Sequence, residues 1–311
     1  MLTEAVRRWV DDVTGAALTH ATTLPGATSS TVALLRFDNG TELVLRLHTK
    51  DDWLAEEPDI ASREAHALQA LAGSGIVAPA LVAVDPEGEF CGRPAVLMSR
   101  LRGRADLSDV SPRRLEALAL SLRPVHRLPA PPLLPEYRPY VSLHERAVPH
   151  WSRVSNAWRA ALELCARTPP SGPNVLIHRD YHPGNVLIDE GAVSGIVDWP
   201  NACAGPPEID VAHCRVNLAI VHGIDVATAF AAFAATDPHR QAFFDLIDCF
   251  DLLDEEFEAA RTGLPSDRAA PLEALHAMGA PKLTVELVRS RLDEYVADAV
   301  GRLTGSYFSE L

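Results

Sequence analysis

The sequence predicts an α+β chain in which a small β-sheet with one major helix precedes a larger, mainly helical part. Three observations carry this. Strand-like segments at 32–37, 42–48, 81–84 and 93–98 crowd into the early part of the chain. Beyond Ser111, apolar residues recur at helical spacing instead. A length of 311 residues, 47% of them apolar, exceeds one minimal domain and allows two lobes with a sizeable core.

Taken in order, Leu2, Val6, Trp9, Val10 and Val13 give residues 1–13 a helical apolar face. The stretch from Thr23 to Thr31 is a turn of small residues between strands. It can bring backbone N–H groups and hydroxyls, those of Gly26, Ser29 and Ser30, to a triphosphate, although loops of this composition are more often plain connections. Asp38-Asn39-Gly40 joins the next two strands. In the second of these, alternation puts Leu43, Leu45 and Leu47 on one face and Val44, Arg46 and His48 on the other. Ile60, Leu68 and Leu71 define a helical face over 59–71, and Glu64 lies on it. A carboxylate on an inward face needs a partner, because a buried unpaired charge is costly, and Arg46 is the candidate. The bland alternatives are an exposed strand arginine and a solvated helix edge. Asp85-Pro86-Glu87-Gly88 then turns a further hairpin.

In the second part, Ser111 caps a helix that starts at Pro112, and Pro124 kinks or ends it. A proline-rich connection at 129–139 leads to a helix expected over 149–167, with Trp151, Val154, Trp158, Ala161, Leu162 and Cys165 inward. Helices are also expected over 209–221, 226–235, 239–261 and 282–303. Within them Asp245, Asp248, Asp251, Asp254, Glu255 and Glu256 have helical spacing and read first as a solvated face.

Between these groups of helices lies the chemistry. A short β-branched run, Val175-Leu176-Ile177, delivers His178, Arg179 and Asp180 into a loop holding Pro183 and Gly184, and Asn185 follows. A hairpin turning at Asp189-Glu190-Gly191 then ends on Asp198, which is expected beside Asn185. One carboxylate on a loop, with an amide and a second carboxylate at strand ends, is the set that magnesium-assisted phosphoryl transfer requires.

His178-Arg179-Asp180 followed by Asn185 matches the kinase catalytic-loop pattern H-R-D-x-x-x-x-N. The fuller string from His178 to Leu187, with Val-Asp-Trp at 197–199, resembles the aminoglycoside phosphotransferase family of small-molecule kinases. That family usually shows H-G-D-x-H-x-x-N, so Arg179 stands in place of a glycine. The resemblance implies a two-lobed protein-kinase-like fold. Residues 1–98 would be the nucleotide-binding lobe, 99–103 a hinge, and 104–311 the catalytic and acceptor-binding lobe. It further implies phosphorylation of a small-molecule hydroxyl by ATP, or GTP, with Mg²⁺. Asp180 would orient or deprotonate the hydroxyl, Asn185 and Asp198 would hold the metal, and Arg46, fixed by Glu64, would neutralise the phosphates. The backbone of Met98, Ser99 and Leu101 would hold the adenine edge. His178 and Asp210, the latter closing a G-x-P-x-x-D stretch, would brace the loop.

Two alternatives stand beside this reading. One is a nucleotide-binding pseudokinase or partner-binding module on the same fold. The other is a metal-dependent hydrolase using His178, Asp180 and His182, for which no further His or Cys cluster supplies ligands. The net charge of -14 argues against a nucleic-acid partner and favours a cationic or neutral small acceptor. Five dispersed cysteines without CxxC spacing indicate neither a disulfide framework nor structural zinc. Charged residues at 4, 7, 8, 11 and 12 break any leader-like stretch, and the most apolar late segment, 216–234, contains His222, Gly223 and Asp225. A cytoplasmic protein without a membrane span is the expectation.

Overall fold

The computed structural model describes residues 2–24, 30–140, 142, 146–262, 275–281 and 283–305. The chain divides into two compact units: Met1–Arg104 with Pro131–Leu134 and Leu187–Ala202, and Ala105–Ala130 with Pro135–Val186 and Cys203–Leu311. The architecture is mixed α+β, an antiparallel sheet in the first unit and mainly helix in the second.

In the first unit, α1 (Glu4–Thr14) starts where Thr3 accepts the Val6 N–H, and it stops at Gly15, whose φ of 65° suits a left-handed C-cap. Strands β1 (Leu18–Leu24), β2 (Ser30–Phe37), β3 (Glu42–His48), β4 (Leu81–Asp85) and β5 (Ala95–Ser99) form a sheet of order β1-β2-β3-β5-β4, antiparallel throughout. The alternation read from the sequence holds along β3. Leu43 and Leu45 join Leu35, Phe37 and Leu97 in a core capped by Val6, Trp9 and Val10 of α1. Each such side chain, once buried, contributes about 1.5–3 kcal/mol. A short helix, α2 (Asp51–Glu56), was not legible from apolar spacing, and it has no buried residue. Helix α3 (Ile60–Leu71) packs on β4 and β5 through an inward face that includes Ile60, Leu68, Leu71 and Glu64.

In the second unit, α4 (Pro112–Val125) ends one residue after Pro124, which has no N–H to give the preceding turn. Helix α5 (Ser155–Cys165) is shorter than expected. Trp151 lies before it, in turn structure that packs edge-on against Trp158. Trp158 is fully buried, and its indole N–H donates to Asp293 at 2.7 Å. Strand β6 (Val175–Ile177) leads to a 3₁₀ turn (Pro183–Asn185), after which the chain passes into the first unit as the hairpin β7 (Val186–Asp189) and β8 (Ala192–Ile196). An unforeseen strand, β9 (Cys203–Gly205), pairs antiparallel with β6. Helices α6 (Glu208–His222), α7 (Ile224–Ala234), α8 (Pro238–Thr262) and α9 (Val285–Thr304) complete the unit, with α6 packed on α7, α8 and α9. The five cysteines are free and buried. Among the described residues no helix is long and apolar enough to cross a membrane.

Candidate active site

The candidate residues fall into two groups, one in each unit. In the first, β3 turns Arg46 away from the leucine face and α3 presents Glu64 to it. Arg46 Nε lies 3.0 Å from Glu64 Oε2, a second guanidinium nitrogen lies 3.0 Å from Asp198 Oδ1, and the third donates to Ser30 Oγ at 3.2 Å. Glu64 is fully buried. Burial pushes its carboxyl up to about 7, against the pull of Arg46 and with the Asp198 charge adding to the rise. His48, on the same face of β3, is driven the other way, down to about 3, by burial and by the Arg46 and Arg63 charges.

Asp198 has φ of 71°, in the left-handed region that aspartate tolerates better than most residues. Its side chain is one-third exposed, at 33%. Ser99 is committed to the sheet: its N–H donates to Ala80 O at 2.9 Å and its hydroxyl accepts the Ala80 N–H at 2.8 Å. Met98 is buried in β5. Leu101 lies over Gly195, where an added Cβ would meet its Cδ1 at 2.4 Å. Gly26 and Ser29 lie outside the described residues.

In the second unit, the loop after β6 is fastened from beneath. Asp210, at the start of α6, is fully buried and accepts the backbone N–H groups of His178 (3.0 Å) and Arg179 (2.7 Å), with His126 Nε2 2.8 Å away. Burial alone would raise its carboxyl, but the hydrogen bond and charge of His126 and the His178 contacts hold it low. Tyr181 anchors the loop into α4, its hydroxyl donating to Leu118 O at 2.8 Å. An added Cβ at Gly184 would sit 2.5 Å from the His182 ring, which would have to move to make room.

Arg179 has φ of 70°, which explains why glycine serves at such a position. Here the guanidinium lies 3.8 Å over the Tyr140 ring and donates to Arg138 O at 2.6 Å, contacts that offset the backbone cost. Asn185 donates Nδ2 to Asp180 O (2.9 Å) and to Asp180 Oδ2 (3.1 Å). Its amide oxygen is therefore free of that task. Burial would raise the Asp180 carboxyl, but a hydrogen bond from His213 and the charges of His182, His213 and His178 together hold it well below the carboxylate range.

His213 was not singled out by the sequence. It stands on α6 among other polar residues, Asp210, Arg215 and Asn217, and its carboxylate partners come from a distant loop and from α8, so its position in the sequence carries no signal. The solvated reading of the acidic run on α8 is corrected for its first three members, while the side chains of Asp254, Glu255 and Glu256 lie outside the described residues. Asp245, Asp248 and Asp251 are buried, not solvated, and each has an internal partner: Arg215 and Arg302 for Asp245, His213 for Asp248, Arg146 for Asp251. Among the described residues no group of three or more His, Cys, Asp or Glu side chains converges to hold a metal.

This fold is that of protein-kinase-like phosphotransferases. A macrolide 2'-phosphotransferase from Brachybacterium faecium aligns over 91% of this chain and all of its own, with 18% identity and a TM-score of 0.57. A spectinomycin phosphotransferase aligns over 94% of this chain and 99% of its own, with 13% identity and a TM-score of 0.63. The chain belongs to the phosphotransferase enzyme family, whose model matches residues 20–244. It is 28% identical over 157 residues to an N-acetylmuramate/N-acetylglucosamine kinase of Pseudomonas aeruginosa, and 31% identical over 142 residues to a homoserine kinase of Beijerinckia indica. These matches span 45% and 42% of the relatives' own lengths, less than half in each case.

Proposed function

We propose that the protein transfers the γ-phosphoryl group of ATP to a hydroxyl of a small polar molecule, a sugar, amino alcohol or related antibiotic. The observation that carries this is the Asp180–Asn185 pair on a loop fastened by Asp210, in a chain of this family. Asp180, ionised and partly exposed, accepts the hydrogen bond of the acceptor hydroxyl and aligns its oxygen with the γ-phosphorus. Arg46, oriented by Glu64 and by its hydrogen bond to Ser30 Oγ, neutralises phosphate charge. The adenine edge meets the backbone near Leu101, because Ser99 already spends its N–H on Ala80.

Mg²⁺ fits the donor set. Asn185 of the second unit turns its Nδ2 toward Asp180 and so offers its amide oxygen, and Asp198 of the first offers a carboxylate; each by itself is a hard oxygen ligand of the kind Mg²⁺ takes. When bound, the ion neutralises charge developing on the transferred phosphoryl group.

The test is incubation with Mg-ATP and a panel of hydroxylated amines, sugars, amino alcohols and antibiotics, read by mass spectrometry for a product one phosphoryl heavier. A product that vanishes with Asp180→Ala, in a variant that still folds, is expected. Full activity in that variant would sink the assignment. Saturating Mg-ATP, at about 100 times its Kd, should also raise unfolding free energy by about 2.7 kcal/mol, and chelating the metal should remove most of that gain. A pseudokinase would show the stabilisation without turnover.

A further inference from the structure

His213 belongs to none of the motifs, yet it touches the candidate catalytic carboxylate. Its Nε2 lies 3.0 Å from Asp180 Oδ1, and its Nδ1 lies 3.2 Å from Asp248 Oδ1 on α8. A neutral imidazole has one N–H and one bare lone pair, and a lone pair facing a carboxylate oxygen at that distance is repulsive. With Asp180 ionised, as the neighbouring histidines hold it, two proton arrangements satisfy both contacts. Either the ring is an imidazolium between two carboxylates, or a protonated Asp248 donates to Nδ1 of a neutral ring. In both, Nε2 carries a hydrogen directed at Asp180, and Asp248 fixes the ring's orientation and tautomer.

The surroundings preserve this arrangement. The side chains of His213 and Asp248 are 16% and 8% exposed, so water competes poorly for either contact. The charged or titratable groups around the ring are Asp180 and His182 from the loop, the latter 5.8 Å away ring to ring, and Asp248 from α8. Burial opposes a charge on His213, but Asp248 and Asp180 together raise its proton affinity well above the ordinary histidine value. Asp180 is thereby held from both oxygens: His213 occupies Oδ1 and Asn185 Nδ2 occupies Oδ2.

We propose that His213, oriented by Asp248, is a positioning residue for phosphoryl transfer: it clamps the Asp180 carboxylate so that its remaining lone pairs meet the acceptor hydroxyl. This rests on the kinase reading of Asp180 given above. A carboxylate held this way is a weak base and a well-aimed hydrogen-bond acceptor. The acceptor oxygen forms its bond to the γ-phosphorus as the bond from phosphorus to the ADP oxygen breaks. ADP departs with that electron pair, and the hydroxyl proton passes to Asp180 late, once the acceptor oxygen has become acidic.

Two measurements test it. In protein labelled with ¹⁵N-histidine, the His213 ring at pH 8 should show a protonated, hydrogen-bonded Nε2; an unprotonated Nε2 would overturn the proposal whatever the kinetics. With Mg-ATP and an acceptor phosphorylated in the panel, or water as acceptor in slow ATP hydrolysis, His213→Phe should lower kcat by about 10–100-fold with KM for ATP within about twofold. His213→Gln, which keeps an N–H donor within reach of Asp180, should recover much of the loss, and it serves in its own right if the Phe variant does not fold. Unimpaired kcat in a folded His213→Phe refutes the clamp alone. A wild-type protein without Mg-dependent turnover refutes the kinase reading, and the proposal falls with it.

Discussion

At Arg179 the backbone and the side chain pull in opposite directions. The left-handed φ costs a non-glycine residue roughly 1–2 kcal/mol, while stacking on Tyr140 and the bond to Arg138 O recover a comparable amount. Arg179→Ala keeps the strain and loses the contacts; Arg179→Gly loses both. The glycine variant should therefore be more stable than the alanine variant by about 1 kcal/mol in urea unfolding. The reverse order would contradict the left-handed backbone. His48 makes a second prediction. Its folded pKa, about 3, lies below the unfolded value near 6.5, so the stability tied to its neutral form is complete above pH 6.5 and drains away as pH falls toward 3. Glu64, raised to about 7, works in the opposite sense, losing stability as pH rises from about 4.5 to 7. The comparison is thus between proteins: between pH 6 and 5, wild type should lose about 1.4 kcal/mol per pH unit relative to His48→Leu. The catalytic-loop residues were legible at this scale because H-R-D-x-x-x-x-N is a local pattern. His213, His126 and Arg146 were not, since each finds its carboxylate on a distant element.

Among the elements, period-2 alternation in β3 and the inward face of α3 were enough to anticipate that Arg46 and Glu64 meet. Burial of the pair raises what it costs to break. Glu64→Ala should destabilise by about 3 kcal/mol in denaturant unfolding and raise KM for ATP, with Glu64→Gln costing less because an acceptor remains for Arg46. A loss under 1 kcal/mol in the alanine variant would mean that Asp198 and Ser30 hold Arg46 unaided. The same logic was beyond reach for α8. Helical spacing alone does not distinguish an acidic face in water from one facing Arg215 and Arg302, which come from α6 and α9. Strand β9 escaped for a related reason: three residues give no periodicity, and its pairing with β6 depends on residues far back in the chain.

Across the whole molecule, the net charge of -14 sets up a long-range field that attracts cations. If the acceptor is cationic, raising ionic strength from 0.01 to 0.15 M, which shortens the screening length from about 30 to about 8 Å, should raise its KM severalfold; a neutral sugar should show no such trend. The three described acids of α8 offer it little, being already matched internally. The sheet-bearing unit has a property of another kind: it is not one continuous stretch of chain, for it closes only with Pro131–Leu134 and Leu187–Ala202. Asp198, one of the carboxylates on Arg46, arrives with the last of these. On the ribosome, then, the first hundred residues emerge long before the segment that completes their unit. At about 5–20 residues per second that interval is about 5–20 s, during which the nascent sheet waits without its final hairpin and is a ready client for chaperones.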